Sequence, residues 1–265
     1  MLLGGGRALL MQIAHPLVAA GVADHSNFKQ DPFGRLRRTV ETLHTINFGT
    51  TDDARMAYRR IDSIHAGVRG RLARSAPGFA AGTRYRARDP ELLLWVLATL
   101  IDTAIVFYRR YVGYLSADEE EQYYLQSKAL ARLFKIPESL IPVDLKEFRG
   151  YVERMIDGGP VQVNDTAREL SRSILYPEFS LVPPILFEPL NLITIGHLPP
   201  RLRKDFGLEW SSARELLLDA SSVAIRALLP IVPDLLRAVP AARSAESALA
   251  AETHRARRQL RRKAC

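Results

Sequence analysis

The histidine at position 65 has the surroundings that most directly suggest chemistry. It lies in "RRIDSIHAGVRG", and on a helix the 100° step per residue gathers it with aliphatic side chains within about a third of the circumference. These neighbours are Ile61, Ile64, Val68 and Leu72. The imidazole could be a core side chain hydrogen-bonded to a backbone carbonyl. It could instead be the axial ligand of a haem iron, with Arg69 one turn later.

Two arginines and a threonine form a second candidate group in the segment "GRLRRT". Arg35, Arg38 and Thr39 are spaced i, i+3 and i+4, so a basic helix predicted over residues 34–46 would present them on one face. Guanidinium groups bind carboxylates and phosphates through paired donors. The same pattern is also typical of a solvated helix face, on which the threonine would have no role.

Two further histidines lie near the start of the chain, in "QIAHP" and "GVADHSNF". His15 precedes a proline where one helix is predicted to give way to the next, so it could hydrogen-bond backbone groups left unpaired there. Asp24 and His25 could form a cap and a turn. Either histidine could instead face a cavity. Neither belongs to a phosphate loop, an HExxH motif or a CxxC pair.

The elements that must position these residues are predicted to be helices throughout, with no strand alternation. Pro16 is predicted to open a second helix. Asp52 and Asp53 lie where helix N-caps are expected, ahead of a helix that runs to about Arg74. Asp89 and Pro90 begin a long core helix that ends near Gly113. The other expected helices cover 116–134, 144–157, 165–175, 211–228 and 240–262, with a loop over 77–87. The sequence predicts a single all-α domain.

Charge is concentrated at the end of the chain. The net charge of +8 includes six cations against one anion between Glu252 and Cys265. We therefore expect a domain over residues 1–250 and a basic tail over 251–265, formed by the end of the last helix or a disordered segment. The tail is expected to be solvated or to make at most a peripheral membrane contact. No nucleic-acid-binding motif accompanies it, so no nucleic-acid partner is expected.

The sequence also predicts a cytoplasmic protein. The only cysteine is the terminal Cys265, which leaves no pair for an internal disulfide. No charged region precedes the first apolar run, as it would in a secretory signal. The apolar run over 92–107 is shorter than the roughly 20 residues that span a bilayer, so it is expected to form a buried core helix.

Several segments, taken in order, resemble the haem-dependent oxygenase family that includes rubber oxygenase and the mycophenolic-acid-pathway oxygenase. They extend from about residue 4 to residue 243 and so cover nearly the whole chain. The segments are "GRALLMQIAHPLVAAGVADHS", "DPFGRLRRT", "FGT", "IHAGVRG", "YRARDPELLLWVLATLIDT", "HLPPRLRKDFGLEW" and "PIVPDLLRAVPAAR".

The resemblance implies a globin-like helical core that holds haem b and oxidises a hydrophobic, unsaturated, isoprenoid-like molecule with O2, by cleavage of a carbon–carbon double bond. It implies that His65 is the proximal iron ligand. By the same comparison Arg35, Arg38 and Thr39 are catalytic, either at the haem propionates or on the distal side of the iron. The residues expected near the cofactor are Arg69, His15 and His25.

Two departures from the family pattern bear on the reaction. Leu97 in "WVLATL" stands where many relatives are expected to have a histidine, and the chain begins almost directly at the first matching segment. A histidine at this position could serve structure, haem contact or proton handling, so its replacement by Leu97 leaves peroxygenase, peroxidase or hydroxylation chemistry as an alternative. A non-catalytic haem- or gas-binding protein on the same fold is another. The sequence predicts no particular oligomeric state.

Overall fold

The computed structural model describes residues 2–25, 41–177 and 183–232, and in them the chain is predominantly helical, which confirms the all-α prediction. The longer helices are α1 (Gly5–Ile13), α2 (Pro16–His25), α3 (Thr51–Gly67), α4 (Pro90–Phe107), α5 (Ala117–Leu133), α6 (Leu145–Asp157), α7 (Asp165–Leu175), α8 (Glu188–Gly196), α9 (Pro200–Asp205) and α10 (Ser212–Leu228). Short 3-10 turns lie at Leu2–Gly4, Glu138–Leu140, Pro184–Phe187 and Leu229–Ile231. One antiparallel pair joins β1 (Arg69–Arg71) to β2 (Arg84–Arg86).

Helix starts follow the local capping chemistry that the sequence predicts. The Asp89 carboxylate accepts the Glu91 N–H, and Pro90 occupies the first turn of α4, where its missing N–H has no cost. At α5, Ser116 and Glu119 form a reciprocal capping box. The predicted starts of these two helices are therefore confirmed.

The first two helices meet at a sharp break. α1 ends at Ile13 and α2 begins at Pro16, and their axes are bent by 105°. Pro16 cannot donate a backbone hydrogen bond into a continuing helix, so it suits the first position of a new one. The prediction that Pro16 opens a second helix is confirmed.

α3 is shorter than predicted. It ends at Gly67 rather than near Arg74, and the expectation that no strand forms is wrong for the β1–β2 pair. The cause lies in packing between distant parts of the chain. Tyr85 is buried and faces Gly70 across the pair, where any side chain at position 70 would collide with the ring. The Tyr85 hydroxyl donates to the Asp24 carboxylate at 2.5 Å and so ties the hairpin to α2.

α4 runs through the main core and continues as a π-helical turn over Tyr108–Val112. The whole helix from Pro90 to Val112 has 23 residues and is long and apolar enough to cross a membrane, with more than half of its apolar stretch buried in the fold. The predicted bounds, from Asp89-Pro90 to near Gly113, are therefore confirmed, whereas the apolar run over 92–107 is only part of this helix and understates its apolar length. The expectation of a core helix is confirmed.

A buried ion pair joins α1 to α4. Arg7 is 4% exposed and makes three hydrogen bonds, to the Asp102 carboxylate at 2.6 Å, the Thr103 hydroxyl at 2.6 Å and the His197 carbonyl at 2.7 Å. A buried charge is tolerated only when it is paired and fully hydrogen-bonded. Arg7 therefore holds three segments of the chain together at one point.

Some expectations concern residues outside the described parts of the chain. The basic helix predicted over 34–46 is described only from residue 41, and residues 41–48 are helical. The helix predicted over 240–262 and the division at residue 250 stay predictions, as does the globin-like arrangement of the core.

Candidate functional site

His65 lies in the last turn of α3, on a half-buried stripe. The stripe includes Tyr58, whose ring contacts Phe134 edge-on at 5.4 Å, and Ile61 one turn before His65. Ile64 points outward and is 62% exposed. The apolar stripe predicted around His65 is therefore wrong in part, because the helix ends before Val68 and Leu72.

The environment of His65 favours the neutral imidazole. Partial burial lowers its pKa; the Asp62 carboxylate opposes this shift, and the Arg88 guanidinium adds to it. Arg88 pairs with Asp62 at 2.7 Å and also donates to the Asp62 carbonyl at 3.1 Å. Neither ring nitrogen of His65 has a hydrogen-bond partner among the described residues. The result is a neutral imidazole whose acceptor nitrogen is available to a ligand.

The end of α2 and the hairpin bring two of the predicted residues together. The His25 ring contacts the Arg69 carbonyl through Nε2 at 3.1 Å, which makes Nε2–H the donor. The same ring meets Tyr85 edge-on at 6.1 Å. Arg69 thus contributes its backbone to this contact, while its side chain is exposed. The chain therefore fixes the segment directly after His65 against α2.

The hairpin carries an unusual concentration of like charge. Its register opposes Arg69 to Arg86 and Arg71 to Arg84, and all four residues are exposed on the face opposite Gly70. Like charges placed directly opposite each other on paired strands are destabilising. Within the described chain, the only hydrogen bond found for these four guanidinium groups runs from Arg71 to the Gly82 carbonyl. This face is therefore strongly cationic.

His15 acts as a helix cap. Its Nδ1 accepts the Leu17 N–H at 3.2 Å at the start of α2, and its ring lies 5.5 Å from the Phe79 ring at the tip of the hairpin. Burial lowers its pKa to about 4, and the Asp89 carboxylate opposes the shift only in part. His15 is therefore neutral near pH 7 with the proton on Nε2. This geometry matches the backbone-bonding alternative that the sequence left open.

The residues that position His65 were missed from the sequence. The usable signal was the spacing of Asp62, three residues before His65 and so one turn away on the same helix. Nothing local identifies Arg88 as its partner 26 residues later. The predicted catalytic residues lie outside the described residues; these are Arg35, Arg38 and Thr39.

Leu97 is buried on α4, at 7% exposure. It lines a small apolar cavity with Tyr124 and Phe148, which has room for about one water molecule. A cavity of that size cannot hold a porphyrin. The half-buried His65 ring is therefore the better candidate for the centre of the site.

The donor set near His65 fits haem. Across the described ranges, no group of three or more histidine, cysteine or acidic side chains could hold a metal ion. A haem iron takes four ligands from its porphyrin and needs one neutral imidazole from the protein. The partnerless His65 ring meets that need.

Comparison with known proteins identifies the family of the chain. Residues 1–227 match the family model described as "ER-bound oxygenase mpaB/B'/Rubber oxygenase, catalytic domain". Two similar proteins are uncharacterized, Mb2261 of Mycobacterium bovis and Rv2237 of Mycobacterium tuberculosis. Each is 32% identical over 213 residues, which cover 78% of this chain and 80% of the relative. No solved structure matches significantly. The resemblance stated from the sequence is thereby confirmed: the chain belongs to the mpaB/B' and rubber oxygenase family, a family of oxidoreductases.

Proposed function

We propose that this chain binds haem b through His65 and uses O2 to oxidise a hydrophobic, unsaturated, isoprenoid-like small molecule. The observation that carries the proposal is the neutral, half-buried imidazole of His65, which has no hydrogen-bond partner among the described residues. Haem bound to a histidine supplies a site where O2 binds and is activated. Family membership supports oxygenase chemistry, and the cytoplasmic location stays part of the proposal.

The chain itself has three tasks in this proposal. His65 must stay deprotonated, which its lowered pKa favours down to mildly acidic pH. Arg88 must hold Asp62, and with it the last turn of α3, in place. The basic group of Arg35, Arg38 and Thr39 is proposed to act at the haem propionates or beside bound oxygen, a role taken from the resemblance of "GRLRRT" to the family motif.

The test is a visible absorption spectrum of the purified chain after reconstitution with haem. We expect a Soret band in the parent and its loss or marked shift in His65→Ala. The control is His44→Ala, which removes a histidine that packs beside Phe48 on the helical residues 41–48. A parent without a Soret band, or a His65→Ala protein with the parent spectrum, would refute the proposal.

The reaction requires a separate experiment. Oxidative cleavage of a double bond places one atom of O2 in each of two carbonyl products, so labelled O2 should appear in both. A second candidate, peroxygenase or peroxidase chemistry, is favoured by the buried apolar Leu97 at the position where many relatives are expected to have a histidine. It predicts turnover with peroxide instead of O2. Tight CO binding without turnover of any alkene tested would indicate a haem- or gas-binding protein.

A further inference from the structure

α10 carries apolar side chains on two opposite faces. Its inner face packs on α8 and the end of α4, with Leu218 and Ser222 buried and Ile225 half-buried. Its outer face is apolar as well. At 100° per residue, the residues of this outer face cover an arc of about 140° around the helix axis. They are Leu216, Leu217, Ala220, Val223, Ala224, Ala227, Leu228 and Ile231, the last just beyond the helix.

The outer face of α10 is open. Its five large side chains are 58% to 75% exposed. Elsewhere on the surface, the 3-10 turn before α8 exposes Ile185 and Leu186, at 70% and 66%, and Leu190 on α8 is also exposed. A second apolar face on a helix that is already packed on its first face is unusual at a protein surface, and an exposed apolar patch of five large side chains usually marks an interaction surface.

We propose that the outer face of α10 lies on the surface of an anionic phospholipid membrane. The chain that follows the helix favours this partner, because residues 252–265 carry six cations against one anion. An apolar helix face combined with a basic segment is the usual combination for binding in the plane of an anionic bilayer. This proposal does not depend on haem binding or on the reaction.

The acidic side chains of α10 do not oppose this contact. The Glu215 carboxylate accepts the Trp210 Nε1–H at 2.6 Å, and Asp219 pairs with Arg110. Both are thus engaged by residues of the fold rather than presented to a lipid surface. Arg226 is exposed on the same helix and carries the charge that anionic lipid attracts.

Two other occupants of the outer face fit less well. A second copy of the chain would bring two basic segments into one assembly, where they repel each other. The residues after α10 carry three large apolar side chains, at Leu235, Leu236 and Val239, before the alanine-rich stretch over 241–251, which is too little apolar bulk to cover five large side chains. An anionic membrane could cover the apolar outer face of α10 and also attract the basic segment over 252–265.

The experiment is flotation of the full chain with vesicles of phosphatidylcholine alone and of phosphatidylcholine mixed with phosphatidylglycerol. We expect binding to the mixed vesicles, weakened by added salt because the charges are exposed. Val223→Lys should lower the partition coefficient about tenfold, since it removes one exposed aliphatic side chain that the bilayer would bury. The matched control is Val143→Lys, which adds the same charge at a valine of similar exposure, 65% against 69%, outside this face.

Three outcomes would overturn the proposal. The first is no preference of the parent for the mixed vesicles. The second is equal binding by the Val223→Lys and Val143→Lys proteins. The third is a dimer, seen by light scattering, that Val223→Lys dissociates while neither parent nor variant binds vesicles. Since both valines are exposed, both variants should fold, and circular dichroism checks this.

Discussion

The buried His15 should make the stability of the protein depend on pH. Its pKa is about 4 in the folded protein, against 6.5 for an unperturbed histidine. Between these values the unfolded chain binds a proton that the native protein excludes. The His15 contribution to stability is therefore complete above pH 6.5 and is lost progressively as the pH falls towards 4.

The size of this effect follows from the two pKa values. At about 1.4 kcal/mol per pH unit, the difference corresponds to about 3 kcal/mol of folding free energy. Protonation would also remove the acceptor that caps α2, because Nδ1 could no longer bind the Leu17 N–H. A loss of this size is a large part of the 5–15 kcal/mol that typically stabilises a domain.

The assay is urea unfolding at several pH values, followed by tryptophan fluorescence, for the parent and for His15→Asn. Asparagine can still cap α2 but does not titrate. The variant loses the contact with Phe79 and should be less stable at neutral pH. On acidification from pH 7 towards pH 4, the free energy of unfolding of the variant should fall by about 3 kcal/mol less than that of the parent. Parallel pH dependences for the two proteins would refute the reasoning.

Two other predictions follow from the ion pairs. Arg88→Met should raise the His65 pKa, because the variant lacks the cation that lowers this pKa and leaves the Asp62 carboxylate without its partner. Asp62→Asn should lower the His65 pKa, because it removes the anion that raises it. Proton titration by NMR measures both, and shifts of the same sign would contradict the assignment. Arg7→Met should lower the free energy of unfolding by about 3 kcal/mol, because it removes the donor to the partly exposed Asp102 carboxylate, the Thr103 hydroxyl and the His197 carbonyl. Adding Asp102→Asn should recover part of that loss, and strict additivity of the two changes would argue against a coupled pair.

The sequence predicted what depends on neighbouring residues. The caps of α4 and α5 and the break before Pro16 follow from side chains within three positions of each helix start. The end of α3 was not predictable in this way, because it depends on Tyr85 packing against α2 some 60 residues earlier in the chain.

The same distinction holds for the candidate site. The choice of His65 as its centre came from residue type and spacing, together with the family resemblance. One of the two groups that act on its pKa, Arg88, comes from beyond the hairpin, 26 residues after its partner Asp62. Local patterns contain no information about such pairs.

The hairpin that follows His65 is attached to the rest of the fold at three points. Arg88 holds its base to α3, Tyr85 holds its middle to α2, and Phe79 packs its tip on His15. A segment fastened at base, middle and tip cannot swing open as a flap. The hairpin that directly follows the His65 helix is therefore a fixed part of the fold, and ligand binding at His65 should leave its position unchanged.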